Sequence, residues 1–503
     1  MSNGKDTATL YKEYVQALQE VADIKYAVAV LQWDQETYMP AGGADKRGRQ
    51  IATLSEIAHD RFTSPAIGDL LAELGRRHDL TGEQRKNIEL SLYDYSQQTR
   101  LPSAFVRQMS ETVSRSFHNW IEARKANDFH IFRDVLGELV ELKKQEAELL
   151  GYTGHPYNAL LNQYERGATT DLLDNIFGKL QPELKAILDQ LGTASQVDDS
   201  LVKQHFPASE QWEFGMDLLG KMGYDFNHGR QDRAEHPFTI NFCSKDVRIT
   251  TRIDEHDLGN MTWSTIHELG HALYEQGLPD EQYGLPLGEY ASLSIHESQS
   301  RLWENNVGRS IYWCRHFLPL LQRYFPAQLG NATPETLYRA INKVSPSLIR
   351  TEADELTYHF HVIIRYELEK ALINSDISVK DIPAFWNEHY RLYLGIAVPD
   401  DRQGCLQDVH WSHGSFGYFP TYSLGSLYAA QFYAFAGKDI PNLDYQLEGG
   451  QFATLKDWLR KKIHTHGRMY TSEELCREIC GEGLNIQYFM QYAYAKYRYI
   501  YSL

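Results

Sequence analysis

Apolar residues recur three and four positions apart along most of this chain. Leu10, Tyr14, Leu18 and Val21 form one such stripe, and Phe132, Val135, Leu136, Leu139 and Val140 form another. A stripe of this period covers one face of a helix, so the pattern predicts a mainly α protein whose helices each bury one side. The pattern changes between residues 236 and 253. There Thr-Ile-Asn-Phe leads through Cys243-Ser244-Lys245-Asp246 into Val247, Ile249, Thr251 and Ile253, alternating with period two, which predicts a β-hairpin. Helical spacing returns at residues 262–279, TWSTIHELGHALYEQGLP, which begin with hydroxyl residues suited to capping and end in Gly277 and Pro279, the usual stop signals. Neither repeats nor low-complexity tracts interrupt the chain. The loosest joint is the polar segment 192–200, and the expectation is one continuous body over residues 1–503.

Composition narrows the function. With 503 residues, 42% of them hydrophobic and 23% charged, the chain is long enough and apolar enough to fold around a large core, which excludes a disordered scaffold. Fifty basic against 67 acidic residues give a net charge of −17, which repels phosphate backbones and anionic lipid. Nucleic acid and membrane surfaces are therefore not expected partners. Five dispersed cysteines do not make a disulfide framework, and with a polar N-terminus they point to a reducing compartment, the cytoplasm. Cys476 and Cys480 lie one turn apart without further Cys or His nearby, the spacing of a packing pair on a helix. Residues 414–437 carry no formal charge and could span a bilayer. Their four glycines, four tyrosines, Pro420 and Gln431 instead predict a buried segment lining a cleft, where polar groups can be satisfied internally.

The chemistry concentrates in His267-Glu268-Leu269-Gly270-His271. Histidines at i and i+4 share one helix face and can converge on one ion, while the glutamate beside them reaches a water at that ion. This is the arrangement of a zinc hydrolase. A catalytic site of that kind needs a third protein ligand and an open position. The segment ASLSIHESQSRLWENN supplies His296 and Glu297, whose side chains diverge by about 100° on a helix so that one of them faces the ion; Glu304 is a further carboxylate on the same segment. Gly270 costs a helix interior about 1 kcal/mol relative to alanine, which predicts a close neighbour, another backbone or the substrate.

Five further motifs accompany the first: His236-Pro237-Phe238, DVRIT at 246–250, HESQ at 296–299, IRTEAD at 349–354 and GCLQDVHW at 404–411. Together they resemble the carboxypeptidase Taq family of zinc metallocarboxypeptidases, intact and in order. The resemblance implies a large two-lobed helical body with a small β-sheet beside a deep active-site groove, a homodimer, and removal of single C-terminal residues from short peptides with broad specificity. It also implies Zn2+, replaceable by cobalt or manganese, held by His267, His271 and Glu297, with Glu268 as general base. Arg350 of IRTEAD would meet the substrate carboxylate, although its spacing also allows an i,i+4 ion pair with Asp354. Gln407 and His410 would close the end of the groove, and Tyr422 would stabilise the oxyanion. Asp246 and Arg248 would shape the groove wall or form a structural ion pair. A helical oligopeptidase or dipeptidyl carboxypeptidase would keep the metal site but recognise the substrate end elsewhere, and product length separates the two.

Overall fold

A computed structural model describes residues 5–503. The first helix, Thr7–Thr37, starts where the Asp6 side chain accepts from Thr9 N, a capping contact that satisfies an otherwise orphaned donor. Its predicted stripe is buried, joining Phe62, Ile67, Leu71, Leu74, Leu80 and Ile88 in a small core. A second, much larger core begins with Trp120 and takes in the helices that follow, the stripe of helix His130–Leu150 among them. The hydrophobic pattern thus builds two cores of unequal size, the basis of the two lobes. The 192–200 segment does not separate them. Leu191, Val197 and Val202 on and around it all enter the larger core.

The hairpin forms as β2 (Thr239–Cys243) and β3 (Asp246–Thr251), antiparallel, with a register shift between Asn241 and Cys243. A strand absent from the sequence reading, β1 (Gln231–Arg233), pairs parallel to β3 and makes the sheet order β1-β3-β2. Gln-Asp-Arg has no apolar alternation to announce a strand; it is recruited by the unpaired edge of β3. On the other side β2 remains an edge strand.

The helix carrying HELGH runs from Leu258 to Glu275, four residues longer at its start than expected. Its cap is Asp257, whose carboxylate accepts from Gly259 N at 2.9 Å, and not the hydroxyls near Thr262, which is buried mid-helix. Leu258 and Met261 are fully buried, so packing extends the helix past the point where its hydroxyl residues seemed to start it. The chain then turns at Gly277 through two single-turn helices, Asp280–Gln282 and Pro286–Gly288, into the HESQ helix, Leu293–Arg301, capped by Ser292. Two glycines let the helices meet. A Cβ on Gly270 would lie 2.5 Å from Gln299 O and 2.6 Å from Ser300 Cα, and one on Gly425 would lie 2.6 Å from Glu297 Cβ. Gly425 belongs to helix Pro420–Asp439, the core of the uncharged stretch, which is buried as expected. No helix among the described residues is long and apolar enough to cross a membrane.

Candidate active site

His267 and His271 present their Nε2 atoms to one point, where Glu297 Oε2 lies 3.6 Å from the first and 3.5 Å from the second. One ligand atom from each residue lies within 4.8 Å of the others, and among the described residues this is the one such group of His, Cys, Asp or Glu. Two imidazoles and a carboxylate form the donor set of a hydrolytic divalent-metal site with room for water. Their outward atoms are also held. Glu304 Oε2 lies 2.9 Å from His267 Nδ1, and Arg301 Nε donates to Glu297 Oε1 at 2.7 Å, while Oε2, which also accepts from the Ser300 hydroxyl at 3.1 Å, faces the two histidines. Glu304, a candidate ligand by sequence, lies instead behind His267. His296 lies behind the other, with its Nδ1 2.6 Å from His271 Nδ1.

Burial and charge pull these groups apart electrostatically. Burial opposes charge on His267, but the carboxylates of Glu297 and Glu304 outweigh it and raise its pKa. Burial, reinforced by His296, pushes His271 down to about 3, so its imidazole is neutral and ready to ligate. Glu297 is buried too, yet Arg301 and His267 hold it well below the usual carboxylate range. Glu268 is raised by burial, against the opposing pull of His267 and Thr239. Thr239 Oγ1, on edge strand β2, donates to Glu268 Oε2 at 2.6 Å and fixes the direction of its carboxylate.

Residues 13–497 match the family described as carboxypeptidase Taq (M32) metallopeptidase. The chain belongs to this family. It is 38% identical to carboxypeptidase 1 of Bacillus subtilis over 497 residues, covering 98% of this chain and 99% of the relative. The thermostable carboxypeptidase 1 of Thermus thermophilus is likewise 38% identical, over 505 residues, with 98% and 99% covered. The crystal structure of the M32 carboxypeptidase from Deinococcus radiodurans superposes with a TM-score of 0.96 at 39% identity, covering 98% of this chain and all of that one. The protein is thus a metallocarboxypeptidase, a hydrolase of C-terminal peptide bonds.

An M32 carboxypeptidase must recognise a carboxylate as well as a peptide bond, and a second cluster of this chain has the chemistry for it. Arg350, only 6% exposed, lies in the single-turn 3-10 helix Arg350–Glu352 and not in an α-helix. Asp354 is not its partner, for that carboxylate is engaged by the backbone of Ser345, Leu356 and Thr357. Instead Arg350 Nε and Nη2 donate to Asp408 Oδ1 at 3.1 and 2.9 Å, and Nη1 donates to the Tyr358 hydroxyl at 2.8 Å. Asp408 Oδ2 accepts from Arg365 Nε at 2.6 Å. Two guanidinium groups share one carboxylate, so the cluster holds a buried surplus positive charge. Tyr358 also ties this cluster to the candidate metal site: its ring lies 4.5 Å under Arg301, the arginine that grips Glu297.

The remaining predicted residues surround Arg350. Gln407 is fully engaged within the protein. Its Oε1 accepts from Arg350 N and Arg365 Nη2, and its Nε2 donates to Leu348 O and Gln403 O. It therefore pins the Arg350 turn. The Tyr422 hydroxyl lies 3.1 Å from His410 Nε2, and the Tyr422 ring stacks 4.9 Å from Arg350. Burial pushes His410 down to about 3, and its Nδ1 is buried without a partner. Asp246 and Arg248 do pair, and the guanidinium lies 4.4 Å from the Trp33 ring, joining the sheet to the first helix. The cysteine pair is buried in helix Ser472–Cys480. Asp408, Tyr358 and Arg301 were not singled out from sequence. The i,i+4 spacing of Glu297 and Arg301 was legible there, whereas the contacts of Asp408 and Tyr358 span distant segments.

Proposed function

We propose that this metallocarboxypeptidase removes single C-terminal residues from short peptides with broad side-chain specificity, using Zn2+, or cobalt or manganese in its place, held by His267, His271 and Glu297. One observation carries the reading. Within a few side chains of a carboxylate and two imidazoles stands a buried arginine with a surplus charge and two of its five N–H donors unclaimed, one on each terminal nitrogen. That free fork matches a carboxylate through two parallel charge-assisted hydrogen bonds.

Held by His267, His271 and Glu297, a divalent ion would supply Lewis acidity toward the scissile carbonyl and the attacking water. The protein does the rest. Arg350 holds the terminal carboxylate, with Asp408 and Tyr358 fixing the guanidinium and Gln407 accepting from its backbone N–H. Glu268, its direction set by Thr239 and its pKa raised by burial, accepts the proton of the water and returns it to the leaving amine. Tyr422 is kept in its neutral donor form by burial and donates a hydrogen bond to the developing oxyanion. His410 supports that hydroxyl and closes the end of the groove with Gln407. A cytoplasmic setting fits five free thiols, and a homodimer rests on the family resemblance, with light scattering as its check.

The test is mass spectrometry of one short peptide, as free acid and as C-terminal amide, with and without a chelator. Sequential loss of single residues from the acid, little cleavage of the amide, and silence under chelation are expected. Release of dipeptides, or equal cleavage of acid and amide, refutes the assignment of Arg350.

A further inference from the structure

We propose that His296 is a positioning residue that fixes the metal-binding tautomer of His271 through a relay running from His271 to His296, Glu275 and Asn241. The proposal rests on the reading of His271 as a metal ligand and goes beyond it, since the ligand set itself does not say what orients each imidazole.

The proton positions follow one from another. His271 turns Nε2 toward Glu297, and an imidazole that offers the lone pair of Nε2 carries its proton on Nδ1. That Nδ1 lies 2.6 Å from Nδ1 of His296. One nitrogen of so close a pair must accept, so the lone pair belongs to His296 Nδ1. With Nδ1 accepting, His296 carries its own proton on Nε2, which lies 2.7 Å from Glu275 Oε1. Glu275 Oε2 in turn accepts from Asn241 Nδ2 at 2.7 Å. Glu275 is 3% exposed, so the far end of the relay is a buried carboxyl group with a hydrogen-bond partner on each oxygen. The rings of Tyr274 and Tyr290, 5.5 and 4.8 Å from that of His296, confine it.

The two metal histidines are therefore served differently. His267 has a carboxylate, Glu304, directly on Nδ1, the common arrangement behind a metal-bound imidazole. His271 reaches its carboxylate through a second imidazole supplied by the HESQ helix, so the same contact holds the two ligand-bearing helices in register. Strand β2 closes the arrangement. Thr239 and Asn241, two residues apart and so on one side of the strand, take hold of Glu268 and Glu275 respectively.

Two substitutions separate this role from packing. In His296→Asn the carboxamide oxygen stands near the former Nδ1 and can still accept from His271. In His296→Gln the carboxamide stands near the former Nε2, keeping contact with Glu275 but not with His271. The readout is the Zn2+ dissociation constant of the metal-free protein, measured by competition with a chromophoric chelator, with circular dichroism as a check on folding. Expected are affinity within about threefold of the parent for His296→Asn and a loss of about 10- to 100-fold for His296→Gln, the usual range for an outer partner of a metal ligand. His271→Ala should lose far more. If both His296 variants bind like the parent, or weaken equally, the relay is overturned and His296 is a packing residue. If His271→Ala binds Zn2+ like the parent, the ligand assignment fails first and the relay with it.

Discussion

Gly270→Ala tests the coupling between helix packing and the metal site. The added methyl group would stand 2.5 Å from Gln299 O and 2.6 Å from Ser300 Cα. Both are backbone atoms, so no side chain can swing aside. Opening a 2.5 Å approach to an ordinary 3.4 Å contact moves the HESQ backbone away by about 0.9 Å. Glu297 sits two residues from Gln299 and His271 one residue from Gly270, so the proposed ligands move relative to each other by a comparable amount. Metal sites hold their ligand distances to about ±0.2 Å. Affinity for Zn2+ should therefore fall at least about tenfold, as it does when less direct supports of a ligand are removed. Stability responds less, because overpacking costs about 1–3 kcal/mol while alanine returns about 1 kcal/mol of helix propensity. The assay pairs chelator competition with thermal unfolding of the metal-free protein. Gly178→Ala is the control: that helical glycine has nothing within 4 Å of an added Cβ, so it should leave metal binding unchanged and raise Tm slightly. A Gly270→Ala protein with parental affinity and Tm would refute the claim that this glycine sets the ligand spacing.

Other expectations follow from the same geometry. Glu268→Gln should keep the metal and lower kcat by at least about 100-fold, because an amide cannot take the proton; near-normal turnover with metal retained would move the base elsewhere. Arg350→Ala should erase most of the preference for a free C-terminal acid over its amide, a factor of about 10–150 in kcat/KM, and a preserved preference returns Arg350 to a structural role beside Asp408. Dialysis against a chelator should abolish hydrolysis, with recovery on adding Zn2+ and, to a differing extent, Co2+ or Mn2+; chelator-insensitive turnover refutes metal dependence. Glu369 accepts from the Tyr157 hydroxyl, Trp411 Nε1 and Gly417 N, and burial raises its carboxyl to about 7 from 4.5. Between those values the folded protein keeps a proton that the unfolded chain releases, so this group favours folding below pH 4.5 and loses that advantage as pH rises through 7. The stability advantage of the parent over Glu369→Gln should shrink by about 2.5 kcal/mol between pH 5 and 8 in urea titrations, and a constant difference contradicts the assignment.

Local chemistry was legible in the sequence because its signals are short in range. A helix repeats every 3.6 residues, so His267 and His271 had to share a face, and the stripe from Leu10 to Val21 had to be buried. The hairpin followed from period-two alternation, and the close neighbour at Gly270 from the cost of a mid-helix glycine. What sits opposite those faces was not legible. Geometry on a helix left His296 and Glu297 as rivals; only the packing of the HESQ helix against Gly270 and Gly425 brings Glu297 to the histidine Nε2 atoms and sends His296 behind His271. Arg350 met its real partner, Asp408, across 58 residues, where spacing had offered Asp354. Strand β1 formed because β3 had an edge to pair, and Asp257 capped a helix that buried Leu258 and Met261 had lengthened. In each case the residue types specify what a side chain can do, and long-range packing, which sums contacts from segments far apart in the chain, decides which atom it does it to.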